Sequence, residues 1–309
     1  MTAVVTKKLK KQLLDTLKGE VDNASIKYYI GVGRSETWDS SDTPPAVTNS
    51  NRSLRNYRLG WQSVKEVADV SFVIPRHNWT TGRIYNSWDD DLSGVPSNTY
   101  YVLTEDNQVY VCLQQGKNNS GEAVASTVKP SGTESLAFKT DDGYKWKFLY
   151  SLDGASASKF LSGNFLPVQF ITDSSGSGSL SSIQTQQALI QEAAVAGQVL
   201  GVAVANGGTG FTSAPTVTIR GDGTGAAATA TVAGGAVVKI ELDSSADSCL
   251  TMGRGYKFAD ITLSGGGGSG VQSRVIIGPD SGLGKNAIED LASNSLMFNT
   301  KPAGAENGD

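Results

Sequence analysis

The sequence predicts a mainly β protein: a layered β-sandwich with helix-bearing loops and a small inserted β-repeat module. Three observations predict it. The stretch DDGYKWKFLY, residues 141–150, places Tyr144, Trp146, Phe148 and Tyr150 at every second position. Alternate side chains of a strand point to opposite faces, so the four rings are expected to line one face, with Lys145, Lys147 and Leu149 on the other. Each buried ring removes about 150–250 Å² from water, enough for this face to seed a core. Second, the composition, with 36 Gly against three Met and with frequent Val, Thr and Ser, favours strands and turns over helical bundles. Third, a repeat with strand-like periodicity occupies residues 200–278.

In chain order, residues 7–21 read KKLKKQLLDTLKGEV, and Leu9, Leu13, Leu14, Leu17 and Val21 fall on one helical face. This amphipathic helix is expected to dock on protein. Lys27–Gly33 reads as a strand, followed by a polar loop whose Pro44 and Pro45 exclude regular structure. From Arg52 onward Leu54, Tyr57, Trp61, Val64 and Ala68 repeat at helical spacing, and Val70–Ile74 is a short apolar strand stopped by Pro75. Residues 100–113 form a hairpin, YYVL and VYVCL about a polar turn. Residues 114–135 are a long loop, expected to be mobile or held by a partner. Asn164–Ile171 is a strand candidate, 174–182 a Gly/Ser linker, 182–196 a weak helix with Ile183, Gln187, Ile190 and Ala194 on one face, and 286–297 a terminal helix.

Residues 200–278 hold 17 of the 36 glycines. GTGFTSAPTVTI at 208–219 recurs as GRGYKFADITL at 253–263, and the turns GDGTG at 221–225 and GGGGSG at 265–270 follow each copy. One copy cannot bury its apolar side alone, so two copies are expected to pack into one module. The expected divisions are therefore 1–198 for the sandwich with its N-terminal helix, 199–278 for the module, and 279–309 for a helix and polar tail.

Several function classes find no support. A net charge of −4 disfavours broad attraction to nucleic acid or anionic membrane. No run of about 18 apolar residues spans a membrane. Cys112 and Cys249 lie far apart and form neither a disulfide framework nor a metal knuckle, which suits a reducing compartment. The single histidine, His77, sits beside Arg76 with no nucleophile elbow anywhere in the chain. Asp89–Asp91 lack the spacing of a calcium loop and read as a solvated acidic turn. GGGGSG lacks the Lys-Ser/Thr ending of a phosphate loop, and GDGTG lacks the nonapeptide period of a calcium-binding β-roll. No catalytic set, cofactor site or metal site is expected.

Three motifs stand in order: Gly33, Arg34, Ser35, Glu36 and Trp38 in GVGRSETW; Ile74, Pro75, Arg76 and Trp79 in VIPRHNW; Asp142, Gly143, Tyr144, Trp146 and Leu149 in DGYKWKFLY. Over roughly residues 20–170 this order resembles the baseplate wedge subunit of T-even-type contractile-tailed bacteriophages, the gene product eight family. The Gly-rich repeat is similar to an insertion in marine relatives of that family. Family chains usually continue past the position of Asp309 with a further strand, a departure of this sequence. The resemblance implies a non-enzymatic virion component, assembled in the bacterial cytoplasm. It would be paired as a homodimer, bound to other baseplate wedge proteins, and engaged in the rearrangement before sheath contraction. Arg34, Glu36, Trp38, Arg76 and Trp79 are the candidate contact residues, because Trp and Arg are enriched at binding hot spots. The alternative is a carbohydrate-binding or host-adhesion module of a phage tail, using Phe211 and Tyr256, the aromatics matched between the repeats.

Overall fold

A computed structural model describes residues 7–23, 25–33, 50–91, 99–172, 180–243 and 250–300. The protein is mainly β, 41% strand against 17% helix, with several antiparallel sheets. Two compact units form: Met1–Val73 with Asn294–Asp309, and Ile74–Ser293. The expected divisions at 198 and 278 both fall inside the second unit.

The first unit begins with helix α1 (Lys7–Asp22), where Lys11–Asp15 and Lys18–Asp22 pair across one turn. Strand β1 (Tyr29–Gly33) and helix α2 (Asn51–Leu59) precede the long strand β2 (Trp61–Pro75). β1 pairs antiparallel with the first half of β2, Tyr29 opposite Glu66. The last strand of the chain pairs with the second half, from Ser295 opposite Val73 to Thr300 opposite Val67. The helical spacing read from Arg52 through Ala68 thus holds only to Leu59. Gly60 breaks the helix, and two flanking strands capture the backbone of Trp61, Val64 and Ala68 in a ladder.

The second unit is built on a four-stranded sheet, ordered β3 (Tyr101–Leu103), β4 (Gln108–Gln114), β6 (Lys145–Ser151), β5 (Phe138–Lys139). The hairpin expected at 100–113 is β3–β4, with Asn107 in the left-handed region at its turn. Helix α3 (Gly154–Phe160) starts at Asp153, whose carboxylate accepts the Ser156 amide, and strand β7 (Phe165–Pro167) follows. Helix α4 (Ser182–Glu192) packs on β6. It begins at a capping box: Ser181 accepts from the Gln184 amide, and the Gln184 side chain accepts from the Ser181 amide.

The central strand departs from simple alternation. Cys112 pairs with Trp146 and Tyr110 with Phe148, yet the next residue of β4, Val109, pairs with Tyr150. Val109 and Tyr110 point to opposite faces, so Tyr150 lies on the opposite face from Phe148. Leu149 is the extra residue of a β-bulge. The expectation that Tyr144, Trp146, Phe148 and Tyr150 share one face is therefore corrected. The first three join Tyr85, Val102, Tyr110, Cys112 and Ile190 in one fully buried cluster. Tyr150 lies on the face of Val109, and its hydroxyl donates to the Pro167 carbonyl at 2.9 Å. Both faces are covered, which is why Lys145 and Lys147 are buried too.

Strands β8 (Val199–Thr209), β9 (Thr216–Gly221), β10 (Thr224–Ala226), β11 (Ala228–Ala233), β12 (Ala236–Leu242), β13 (Met252–Arg254), β14 (Ala259–Ser264) and β15 (Ser269–Ile277) make up the Gly-rich region. The repeats are interleaved: β9 of the first copy pairs with β14 of the second, Thr218 opposite its own counterpart Thr262. β8, which leads into the first copy, pairs with β15 of the second, and β10 pairs with β13, again across copies. β9 and β10 thus take their partners from the second copy, whereas β11 pairs in a hairpin with β12, which lies between the copies. The terminal helix expected at 286–297 is only α5 (Ala287–Asp290), capped by Asn286. Residues from Ser295 form β16 (Ser295–Thr300), the strand already met beside β2.

Candidate interaction surface

In the first unit α1, α2 and β1 all carry apolar residues. Among the described residues it buries only Val70, Phe72 and Val73, three of the chain's 43 buried apolar residues. It exposes Leu9, Leu13, Ile26, Tyr29, Val32, Leu54, Leu59, Trp61 and Val64, nine of the 16 large apolar side chains exposed among the described residues. Leu59 is 78% exposed, Leu13 60% and Val32 57%. The stripe of α1, expected to dock on protein, is thus only half covered. Exposed apolar side chains gathered in one unit mark surface that a partner can cover.

Local geometry holds part of this surface rigid. A Cβ on Gly31 would come within 2.6 Å of the Trp61 indole, so the ring lies flat on the bare backbone of β1. One side of the indole stays turned outward, at 38% exposure. In α2, Arg52, Arg55 and Arg58 recur every third residue with no acidic residue in the helix. Sequence reasoning passed over these three arginines. The signal, a cationic stripe with no acids beside it, was present in NRSLRNYRL.

The loop candidates are placed differently. Arg34, Glu36 and Trp38 lie outside the described residues. Arg76 is occupied within the chain: Nε donates to Asn78 Oδ1 at 2.8 Å and Nη1 to the Ser162 carbonyl at 3.0 Å. Trp79 packs against the buried aromatic cluster, and its indole N–H donates to Ser126 Oγ at 3.2 Å. These two residues brace loops of the second unit. His77 is likewise structural in geometry, its ring tilted against Tyr101 at 5.1 Å.

The charged groups of the second unit also stitch the fold. Asp89 and Asp90 grip Arg274, with Asp89 oxygens 2.6 and 2.7 Å from Nη2, so this loop is an ion-paired clamp on β15 and not a solvated turn. Burial pushes the Asp89 carboxyl up, but the Asp91 amide and Arg274 bring it below the usual carboxylate range. Asp142 ties down the long loop: its Oδ2 accepts from Ser126 Oγ and from the amides of Thr127 and Val128. Burial raises this carboxyl, and hydrogen bonds led by that from Thr140 outweigh it and hold it low. Lys145 donates to the Leu242 carbonyl at 2.9 Å beside an open cavity of about 220 Å³ that Glu241 and Asp243 also line. Burial pulls Lys145 and Lys147 down to about 8, and pushes Asp290 up to about 7.

Among the described residues no group of three His, Cys, Asp or Glu could hold a metal. No described helix is long and apolar enough to cross a membrane. The rings that motivated a sugar site are covered. Phe211 and Tyr256 are buried, the former under Gly268 and the latter under Gly223, where a Cβ would approach each ring to 2.4 Å. Comparison with protein-family models and with curated proteins gives no match.

Proposed function

We propose that this protein is a non-enzymatic connector of a contractile phage tail, a baseplate wedge component that links neighbouring subunits. On this reading it pairs with itself, contacts other wedge proteins, is assembled in the bacterial cytoplasm, and takes part in the rearrangement before sheath contraction. The ordered motifs around Gly33, Pro75 and Trp146 suggest the family. The observation that carries the connector role is the first unit, whose described residues include nine exposed large apolar side chains and three buried apolar ones. Such a unit is completed by other proteins, and obligate interfaces of that kind bury more than about 2,000 Å². The well-packed second unit supplies the rigid body that the contacts pull on.

Imaging of intact particles tests the reading. Density for the chain in the tail end-plate, with the first unit enclosed by neighbouring subunits, is the expected result. Purified tails lacking the chain, or a protein that stays monomeric at high concentration and binds no tail component, would overturn it.

A further inference from the structure

The first unit carries one surface with a definite chemical character. At 100° per residue, Leu54, Arg58, Asn51, Arg55, Leu59 and Arg52 of α2 fall within an arc of about 160°. Every one of these side chains is exposed. Three guanidinium groups and two leucines thus share one ridge, and no acidic side chain of α2 neutralises them. Trp61 begins the next strand, its indole fixed against Gly31.

We propose that this ridge docks into an apolar groove with an acidic rim on a different protein, the leucines and Trp61 filling the groove and the arginines pairing with the rim. The proposal rests on the connector reading and names the chemistry of one partner. Leu59 and Trp61 need a surface that excludes water, which a phosphate backbone does not provide, and a chain of net charge −4 repels a polyanion at longer range. A helix of nine residues with three arginines offers too little apolar face to hold a membrane surface. A second copy of this chain is a poor host for the arginines. Among the described residues several of its acidic clusters already hold their own cations: Asp89 and Asp90 with Arg274, Glu105 and Asp106 with Lys129, Glu241 with Lys239. Arginine suits such a rim because its planar fork meets a carboxylate with two hydrogen bonds.

Site-specific photo-crosslinking of the full chain in the cell that produces it tests this. Benzoylphenylalanine is placed at Leu59 and, separately, at Val32 on β1. The expected product at Leu59 is an adduct with one other protein, whose crosslinked peptide, sequenced by mass spectrometry, contains Asp or Glu among apolar residues. Reversal of charge by Arg52→Glu, Arg55→Glu and Arg58→Glu together lowers its yield by about tenfold or more, the scale of close charge pairs across an interface, and leaves the Val32 adduct unchanged. An adduct at Leu59 with this same chain, with nucleic acid or with lipid overturns the proposal. So does an adduct with a peptide free of acidic residues, or one whose yield ignores the charge reversal. Adducts at Val32 and none at Leu59 remove the proposal and leave the connector reading standing. No adduct at either position removes both.

Discussion

Lys145, Lys147 and Asp290 are ionisable groups buried in the fold, and each leaves a mark on the pH dependence of stability. Asp290 holds its proton up to about 7 in the fold, against an ordinary value of 3.8. The folded form therefore binds that proton more tightly than the unfolded chain does, and stability falls as pH rises from about 4 to about 7. The lysines have the opposite sign. Their folded values near 8 lie below the ordinary 10.5, so folding expels protons and stability rises as pH climbs from about 8 to about 10. A denaturant series across pH 5–10 should show a stability minimum near pH 7–8. Asp290→Asn should flatten the acid side and keep the acceptor for the Gly284 amide, and Lys147→Met should flatten part of the alkaline side. A steady rise or fall through this range in the unmodified protein would contradict these placements. Asp142 makes a second residue-level prediction. Removing its carboxylate in Asp142→Ala strips partners from Ser126, Thr127 and Val128, and hydrogen bonds to a charged group are worth about 1.5–3 kcal/mol each. Amides 127 and 128, which donate to that carboxylate, should then exchange with solvent faster than those of β4, a comparison that hydrogen-exchange mass spectrometry reads directly.

The interleaved repeat is a prediction about elements. If the two copies are equivalent, matched substitutions should cost alike. Gly223→Ala drives a methyl into Tyr256, and Gly268→Ala drives one into Phe211, at the same 2.4 Å approach. Overpacking of this kind costs about 1–3 kcal/mol, and both variants should show it in thermal or chemical unfolding. A neutral Gly223→Ala beside a damaging Gly268→Ala would show that the likeness is only one of sequence. The repeat itself was legible, because a Gly-x-Gly-aromatic spacing imprints on the chain. That each copy lends its strands to the other was not, since antiparallel pairing between copies and within a copy places the same residues in strands. The β6 bulge was hidden for a related reason. Alternation in KWKFLYS announces a strand, but the register against β4 decides where the extra residue falls. For α2 the error ran the other way. Its apolar spacing continued past Gly60 and looked helical, while pairing with β1 and β16 made those residues strand.

For the whole molecule, the two units should differ in stability. Among the described residues the second holds 40 of the 43 buried apolar side chains and the first three, and burial is the main favourable term in folding. In the isolated protein the amides of α1, α2 and β1 should exchange much faster than those of β4 and β6. Binding of a partner over the first unit should slow that exchange selectively. Equal protection in both units of the free chain would show that the exposed side chains of the first are not waiting for a cover.

By itself the sequence determined the β character, the central aromatic strand, the hairpin at 100–113 and the repeat, because periodicity and turn chemistry act locally. Only the tertiary structure decided that Tyr150 leaves its three companions, that the repeats exchange strands, that Arg76, Trp79 and Asp89–Asp90 are spent inside the fold, and that the apolar residues of the first unit stay open to solvent. Each depends on which distant segment lies opposite, and neighbours along a chain carry no record of that.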